Sequence, residues 1–373
     1  MTVKKLLFIV NIPEFFISHR LSLALLAKKK GYQVHVATSN SESYKKIENY
    51  GFYCHKIFLK RGSLNIFYEI LTFISIFRVL KNLRPDVIHL LTAKCNIYGG
   101  LASKIINVPK IVHAITGLGY IFVDSNDNLK KILKNIVIFL FKVSIQSDSS
   151  VIFQNKYNLD LFIEKGIIKD VQGKLIHGSG VNTELFFHSN EIKNDNPIVL
   201  FPSRLLKEKG VETFVKAAII LQRKIKLRMV IAGGLDTENP SAISKLQIEE
   251  WVNLGVIEWY GHVVNMPDLL SKSSIVCLPT YYPEGIPKVL IEAASCGRAI
   301  VTTDMPGCNE IVKNNSNGVL IPIRSPERLA DEIVKLIENF DLRKKYGDNG
   351  RKLVIDRFSS KIVDNATIKI YSD

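Results

Sequence analysis

Four residues stand out for the chemistry they could do. Glu284 and Glu292 lie eight residues apart in Tyr-Tyr-Pro-Glu-Gly-Ile-Pro-Lys-Val-Leu-Ile-Glu-Ala-Ala-Ser-Cys-Gly (281–297). Arg204 and Lys209 lie in Ser-Arg-Leu-Leu-Lys-Glu-Lys-Gly (203–210). The carboxylates can accept hydrogen bonds from sugar hydroxyls. An arginine fork and a lysine point charge suit a diphosphate. One half of the chain equipped for both predicts a nucleotide-sugar site.

The elements must bring these residues together. Short apolar runs alternate with helical patterns throughout. In the first half strands fit 5–10, 33–37, 86–90, 110–115, 150–153 and 174–177, and helices fit 18–30, 42–50, 64–82, 97–106, 128–146 and 156–165. In the second half strands fit 197–201, 228–232, 256–260, 274–278, 299–303 and 318–321, and helices fit 207–223, 240–253, 288–296, 325–339 and 341–355. Such alternation implies parallel sheets covered on both faces. Two series imply two doubly wound domains, with a boundary expected in the polar run His188–Pro197. Ligands of open parallel sheets sit beyond the carboxyl ends of the strands, so a cleft between the domains is the expected site.

Arg204 and Lys209 follow one predicted strand and stand near a helix start, where anions are favoured. Glu284 falls in the loop after another strand. Pro287 suits the first turn of the next helix, where a missing N–H costs little, and Glu292 falls inside that helix. Backbone amides around Gly285, Ile286, Lys288 and Val289 could face phosphate or sugar. Gly233 and Gly234 put bare backbone at a strand end, and Gly261 and Val263 could frame a base. His262 reads as structural.

In the first half, His-Ala-Ile-Thr-Gly-Leu-Gly-Tyr (113–120) ends a strand with small residues, Gly117 among them. It lacks the third glycine of a dinucleotide fingerprint. His113 either faces the cleft or is structural. Gly-Ser-Gly-Val-Asn (178–182) either lines the cleft or is a turn. No Walker A sequence, Gly-x-Ser-x-Gly elbow, His-Glu-x-x-His motif or Asp-x-Asp occurs. Histidines and cysteines show no metal-ligand spacing, so no metal is expected.

Charge divides unevenly. Residues 1–190 hold 25 Lys+Arg and 12 Asp+Glu, a balance of +13, whereas residues 191–373 hold 25 and 23, a balance of +2. The first half should be drawn to something anionic or carry a solubilising lysine surface. Five widely spaced cysteines without a Cys-x-x-Cys motif fit free thiols in a reducing cytosol. The first apolar run is too short for a secretory leader, and no run reaches a membrane span. Segments 64–82 and 128–146 mix apolar residues with basic ones, Lys130, Lys131, Lys134 and Lys142 in the second. They read either as interfacial helices on an anionic leaflet or as core helices.

The combination of Ser-Arg-x-x-x-x-Lys-Gly and Glu-Gly-x-Pro-x-x-x-x-Glu-Ala resembles glycosyltransferase family 4. His-Ala-x-Thr-Gly-x-Gly and Gly-Ser-Gly-Val resemble a bacterial subgroup that builds O-antigen, capsule or other lipid-linked oligosaccharides. The resemblance covers nearly the whole chain and is weaker before residue 110. It implies an α/β GT-B fold: two doubly wound, Rossmann-like parallel-sheet domains facing across a cleft. Residues 1–188 would form a basic, membrane-facing acceptor domain and 197–355 the donor domain, with a helix in 356–373 packing back on the first.

The resemblance further implies a metal-independent, retaining hexosyltransferase with no cofactor beyond its UDP-sugar donor. Its acceptor would be an undecaprenyl-diphosphate-linked saccharide, its place peripheral on the inner face of the cytoplasmic membrane. Arg204 and Lys209 would bind the diphosphate, Glu284 the donor-sugar hydroxyls, Glu292 the ribose, and His113 would face the donor sugar. The family's first loop is usually glycine-rich. Here it reads Asn-Ile-Pro-Glu-Phe-Phe-Ile-Ser-His-Arg (11–20), with Glu14, Phe15 and His19 on the acceptor side. The alternatives are a GT-B nucleotide-sugar epimerase and a nucleic-acid-binding protein, the latter without a recognisable motif.

Overall fold

The structure, a computed structural model, describes residues 3–60, 62–63, 65–117, 119, 122, 127–190, 195–237, 239 and 241–372. It divides into two compact units, Met1–Gly180 with Ser360–Asp373, and Val181–Ser359.

The first unit has a seven-stranded parallel sheet of β1 (Lys5–Ile9), β2 (Gln33–Thr38), β3 (Tyr53–Lys56), β4 (Val87–Leu91), β5 (Lys110–Ile115), β6 (Ser150–Phe153) and β7 (Gly173–Leu175), in the order β3-β2-β1-β4-β5-β6-β7. β4 is buried along its whole length, as a strand covered on both faces must be. The crossovers are α1 (Pro13–Lys29), α2 (Tyr44–Asn49), α3 (Ile66–Leu83), α4 (Ala93–Ile106), α5 (Asn128–Ser144) and α6 (Lys156–Glu164). α3, α4 and α5 pack side by side on one face. α1 covers the other face beside α14 (Ser360–Ser372). Tyr371 of α14 shares a hydrogen bond of 2.5 Å with His89 Nδ1 of β4, so the chain's last helix is tied into the first unit.

The second unit has six parallel strands: β8 (Ile198–Phe201), β9 (Arg228–Ile231), β10 (Glu258–Trp259), β11 (Ile275–Leu278), β12 (Ala299–Thr303) and β13 (Gly318–Ile321). Their order is β10-β9-β8-β11-β12-β13. Around them lie α7 (Val211–Leu221), α8 (Lys245–Asn253), α9 (Met266–Lys272), α10 (Lys288–Ser295), α11 (Cys308–Ile311), α12 (Pro326–Glu338) and α13 (Phe340–Leu353). Strand order reverses direction at β1/β4 in one sheet and at β8/β11 in the other, the switch points where such sheets bind ligands.

Several expectations need correction. Segment 11–20 is mostly helix, not loop: Pro13 occupies the first turn of α1, where its fixed φ suits a helix start. The helix expected from 207 begins instead as a single 3-10 turn, Lys207–Lys209, and α7 starts only after left-handed Gly210. The helix expected from 240 starts at Lys245, because the Ser244 side chain caps it. β3, α9 and α11 had no counterpart in the periodicity; each is seven residues or shorter.

The units part at Gly180/Val181 rather than within 188–197. The polar composition of that run was misleading, because its first residues are fastened to the second unit. Phe186 is in the second core. Its carbonyl accepts hydrogen bonds from Ser295 Oγ and Arg351 Nη1, Arg298 donates to the Ser189 carbonyl, and His188 Nε2 lies 3.0 Å from Asp348. Residues 191–194 of the expected linker lie outside the described residues.

Candidate functional site

Four loops at the carboxyl edge of the second sheet lock onto one another, backbone against backbone. Buried Leu205 and Leu206 anchor the loop after β8. Lys207 N–H donates to the Ser241 carbonyl at 2.9 Å, and Ile243 N–H to that of Leu205 at 2.9 Å. The Glu208 carbonyl accepts from Thr280 Oγ1 and from the Tyr281 N–H, both at 2.9 Å, which joins the β8 loop to the β11 loop. Gly210 sits at φ +83° with the Pro279 carbonyl oxygen 2.0 Å from where a Cβ would stand; only glycine fits both demands. Gly233 likewise leaves room for the Ser203 carbonyl, and its own carbonyl accepts from Trp259 Nε1 at 2.9 Å. Gly307 leaves room for the Gly285 carbonyl.

This framework sets the charged residues. Lys209 Nζ lies 2.6 Å from Glu284 Oε1, both side chains largely buried, and 5.6 Å from the centre of the Tyr282 ring. Arg204 Nη1 donates to Asp236 Oδ2 at 2.5 Å while half of its side chain stays exposed. Burial, then the Glu284 charge, pushes the Tyr282 phenol well above its ordinary range, with Arg204 opposing. Cys308 is buried under the same cluster; burial and then Glu284 push its thiol up to about 12, with Lys209 among the opposing influences. It is therefore an inert packing thiol.

α10 starts after Pro287, whose φ of −60° suits the position. Ile286 and Val289 fix the helix start to the core. Glu292 lies one turn in, 3.5 Å from Lys288 Nζ. Burial raises its carboxyl pKa, and Lys288 only partly offsets this. Gly234 is open except for His262 Cβ at 3.6 Å, and Gly261, at φ +63°, faces open space. Val263 packs its side chain half-buried on the core.

Arg204, Lys209, Glu284, Gly233 and Gly285 thus come together at the edge beyond β8 and β11. Sequence reasoning passed over Asp236, Tyr282 and Trp259 as partners of this cluster. Asp236 had one signal, its place two residues after the Gly233–Gly234 pair. The other two needed the fold.

Residues expected on the acceptor side lie in the first unit. Glu14 is in the first turn of α1. Burial raises its pKa, but its backbone N–H, the Ser41 and Ser43 hydroxyls and Lys46 outweigh that and leave it lowered. Phe15 stacks on His19 at 4.2 Å. Gly117 follows β5 by two residues, while Leu118 and Tyr120 lie outside the described residues. His113 is fully buried in β5, two residues short of the strand end; its Nδ1 lies 3.1 Å from Asn96 Oδ1 of α4, its Nε2 has no hydrogen-bond partner among the described residues, and burial lowers its pKa to about 3.

Two family models match: "Glycosyl transferase 4-like" over residues 5–155 and "Glycosyl transferases group 1" over 182–353. A relative from Campylobacter jejuni, N,N'-diacetylbacillosaminyl-diphospho-undecaprenol alpha-1,3-N-acetylgalactosaminyltransferase, is 30% identical over 364 residues, 94% of each chain. The chain belongs to the family 4 glycosyltransferases. The capsular polysaccharide biosynthesis glycosyltransferase CapM of Staphylococcus aureus is 24% identical, covering 90% of this transferase and 88% of its own length. Among solved structures, Anabaena HepE in complex with UDP and glucose superposes with a TM-score of 0.78 at 19% identity, covering 99% and 100% of the two chains. That likeness establishes the GT-B fold of this transferase.

Proposed function

We propose that this transferase moves a hexose or N-acetylhexosamine, with retention of configuration and without a metal, from a UDP-sugar to an undecaprenyl-diphosphate-linked saccharide. The product would serve O-antigen lipopolysaccharide, capsule or a related surface polysaccharide, and the enzyme would work peripherally on the inner face of the cytoplasmic membrane. The observation that carries the reading is the Lys209–Glu284 pair at the β8/β11 switch point, with Arg204 beside it. The name of the Campylobacter relative supports the lipid-linked acceptor and that of HepE the UDP donor.

A glycosyl transition state gathers positive charge on the sugar and negative charge on the leaving group. Lys209 and the free part of the Arg204 fork would meet the departing diphosphate. Preorganised cations of this kind are among the largest catalytic levers. Glu284 would hold donor-sugar hydroxyls and keep Lys209 in place before the donor arrives. Glu292, on α10, would take the ribose hydroxyls, and the backbone from Gly285 to Val289, with Gly233 and Gly234, would approach the donor. The departing phosphate oxygen can accept the acceptor's proton, so no separate base is required.

The test is transfer from a panel of UDP- and GDP-sugars to undecaprenyl-diphosphate-linked N-acetylhexosamine, with EDTA present. Transfer from one UDP-sugar is expected. Consumption of donor without acceptor would instead identify an epimerase, and transfer only after a divalent cation is restored would overturn metal independence.

A further inference from the structure

The flank of the N-terminal sheet carries a histidine pair that the transfer chemistry does not use. β3 is the edge strand, two places from the β1/β4 switch point. His35 of β2 lies beside His55 of β3, Nδ1 to Nε2, at 2.9 Å. His35 Nε2 lies 3.2 Å from Gln33 Oε1, and Tyr53 stacks on the His35 ring at 4.9 Å. An amide oxygen only accepts, so His35 donates from Nε2 and accepts at Nδ1. His55 then donates from Nε2, which leaves its Nδ1 to meet a ligand. Neutral His55 offers a lone pair there; protonated His55 offers a donor. His35 is the wrong ring to take the proton: burial, then the His55 and Lys5 charges, lower its pKa to about 4. His55 is partly exposed, and only burial lowers its pKa.

His55 opens into a cavity of about 530 Å³, a volume within the range of small-molecule sites. Phe58, Leu71 and Ile74 give it apolar walls, and Lys56 and Arg78 line it with His55. Its outer wall is fastened: Phe58 N–H donates to Ser75 Oγ of α3 at 2.8 Å, which ties the segment after β3 to the helix. Among the described residues no acidic side chain lines the cavity, and neither Lys56 nor Arg78 has an ion-pair partner. Elsewhere in the same unit cations are answered, Lys94 by Glu69 and Lys156 by Asp160. The groups that face the histidine pair are Lys5 from β1, Tyr53 and Lys56 from β3 and Arg78 from α3, none of them an anion. Two fixed positive charges, and a histidine able to become a third, stand around an apolar chamber. Their complement is an anionic head on an apolar body, and the Arg78 fork suits a carboxylate, sulfonate or phosphate.

We propose that this cavity binds a small soluble anionic amphiphile, a carboxylate, sulfonate or phosphate monoester on an apolar body, held by Arg78, Lys56 and His55. Neither the sugar donor nor its acceptor is part of the site, and the donor cluster belongs to the other unit. A bound anion stabilises the imidazolium that burial disfavours. Binding therefore brings a proton onto His55, and affinity rises as pH falls.

The test is calorimetric titration of the full chain with naphthalene-2-sulfonate, whose charge does not change over the range used, and with neutral naphthalene-2-sulfonamide. Saturable binding of one sulfonate is expected. The sulfonamide should bind about tenfold more weakly, and R78Q should weaken the sulfonate about tenfold, for the loss of one charge-assisted contact. From pH 8 to pH 6 wild-type affinity should rise about threefold while that of H55Q stays level. K174Q, at an exposed lysine of β7, should change nothing. No saturable binding, equal binding of the sulfonamide, or equal losses in K174Q and R78Q would overturn the proposal, and a level wild-type pH profile would overturn the part given to His55. Hexyl phosphate and phosphatidylglycerol vesicles then compete for the bound sulfonate. Displacement by hexyl phosphate supports a soluble ligand, whereas displacement by the vesicles alone would overturn it in favour of a lipid headgroup.

Discussion

At the centre of the N-terminal sheet, neighbouring strands β4 and β5 carry His89 and His113, both fully buried. In the C-terminal sheet the two strands that flank the switch point, β8 (Ile-Val-Leu-Phe) and β11 (Ile-Val-Cys-Leu), are wholly apolar, and Arg204, Lys209 and Glu284 come just past the strand ends. The strand order around the two switch points is the same. In mid-strand, burial is complete and a titratable group gives up its charge: His89 is driven well below its ordinary pKa by burial, then by Arg20 and His113. Past the strand end, a lysine and a glutamate keep opposite charges by pairing, because removing one ion from water uncompensated costs several kcal/mol. Two residues along a strand can thus separate a fully buried titratable group from an ion pair at the sheet's edge.

The sharpest way to break this contrast is to compare Lys209→Ala with His113→Asn. The first should lower turnover about 100- to 1000-fold, a loss of roughly 2.7–4 kcal/mol in transition-state stabilisation. The second should leave turnover within about threefold and act on stability. Equal losses in the transfer assay would refute the separation of roles.

Next in size is Arg298→Met. Arg298 is fully buried and donates to the carbonyls of Cys296, Ser271, Ser273 and Ser189, so its loss strands several acceptors at about 1 kcal/mol each. The C-terminal unit should lose about 3 kcal/mol in urea unfolding, with the N-terminal transition unmoved. A shift of both transitions would show that the units do not unfold separately.

A third prediction concerns pH. His113 has a folded pKa lowered to about 3 against about 6.5 in an unfolded chain. Its contribution is whole above pH 6.5 and is lost as pH falls from there toward 3, because the unfolded chain takes up the proton first. His113→Asn should flatten that decline by about 1.4 kcal/mol per pH unit, read as urea midpoints at pH 7 and pH 5. The smallest effect belongs to Tyr371→Phe. Loss of the hydroxyl that bonds His89 should cost the N-terminal unit about 1 kcal/mol in thermal or urea unfolding.

Much of the fold was legible because buried parallel strands announce themselves as short apolar runs. Every such run in the C-terminal half became a strand, and the motif residues fell at strand ends where alternation put them. The errors share a cause. Pro13 began a helix, and Gly210 delayed one. Segment 188–197 looked like a linker because it is polar, yet its His188 and Ser189 are held by Asp348 and Arg298, from more than a hundred residues away.

The sequence by itself determined the alternation of strands and helices, the placing of Arg204, Lys209, Glu284 and Glu292 on one domain, and the basic bias of the first half. These are local properties, set by periodicity, turn chemistry and composition. Only the tertiary structure decided that Lys209 meets Glu284, that Asp236 holds Arg204, that His113 is sealed beneath α4, and that α3 exposes Ile66, Phe67, Ile70 and Leu71 while burying Ile76 and Leu80. Each depends on which side chains from distant segments exclude water from a given atom, and no window of neighbouring residues contains that information.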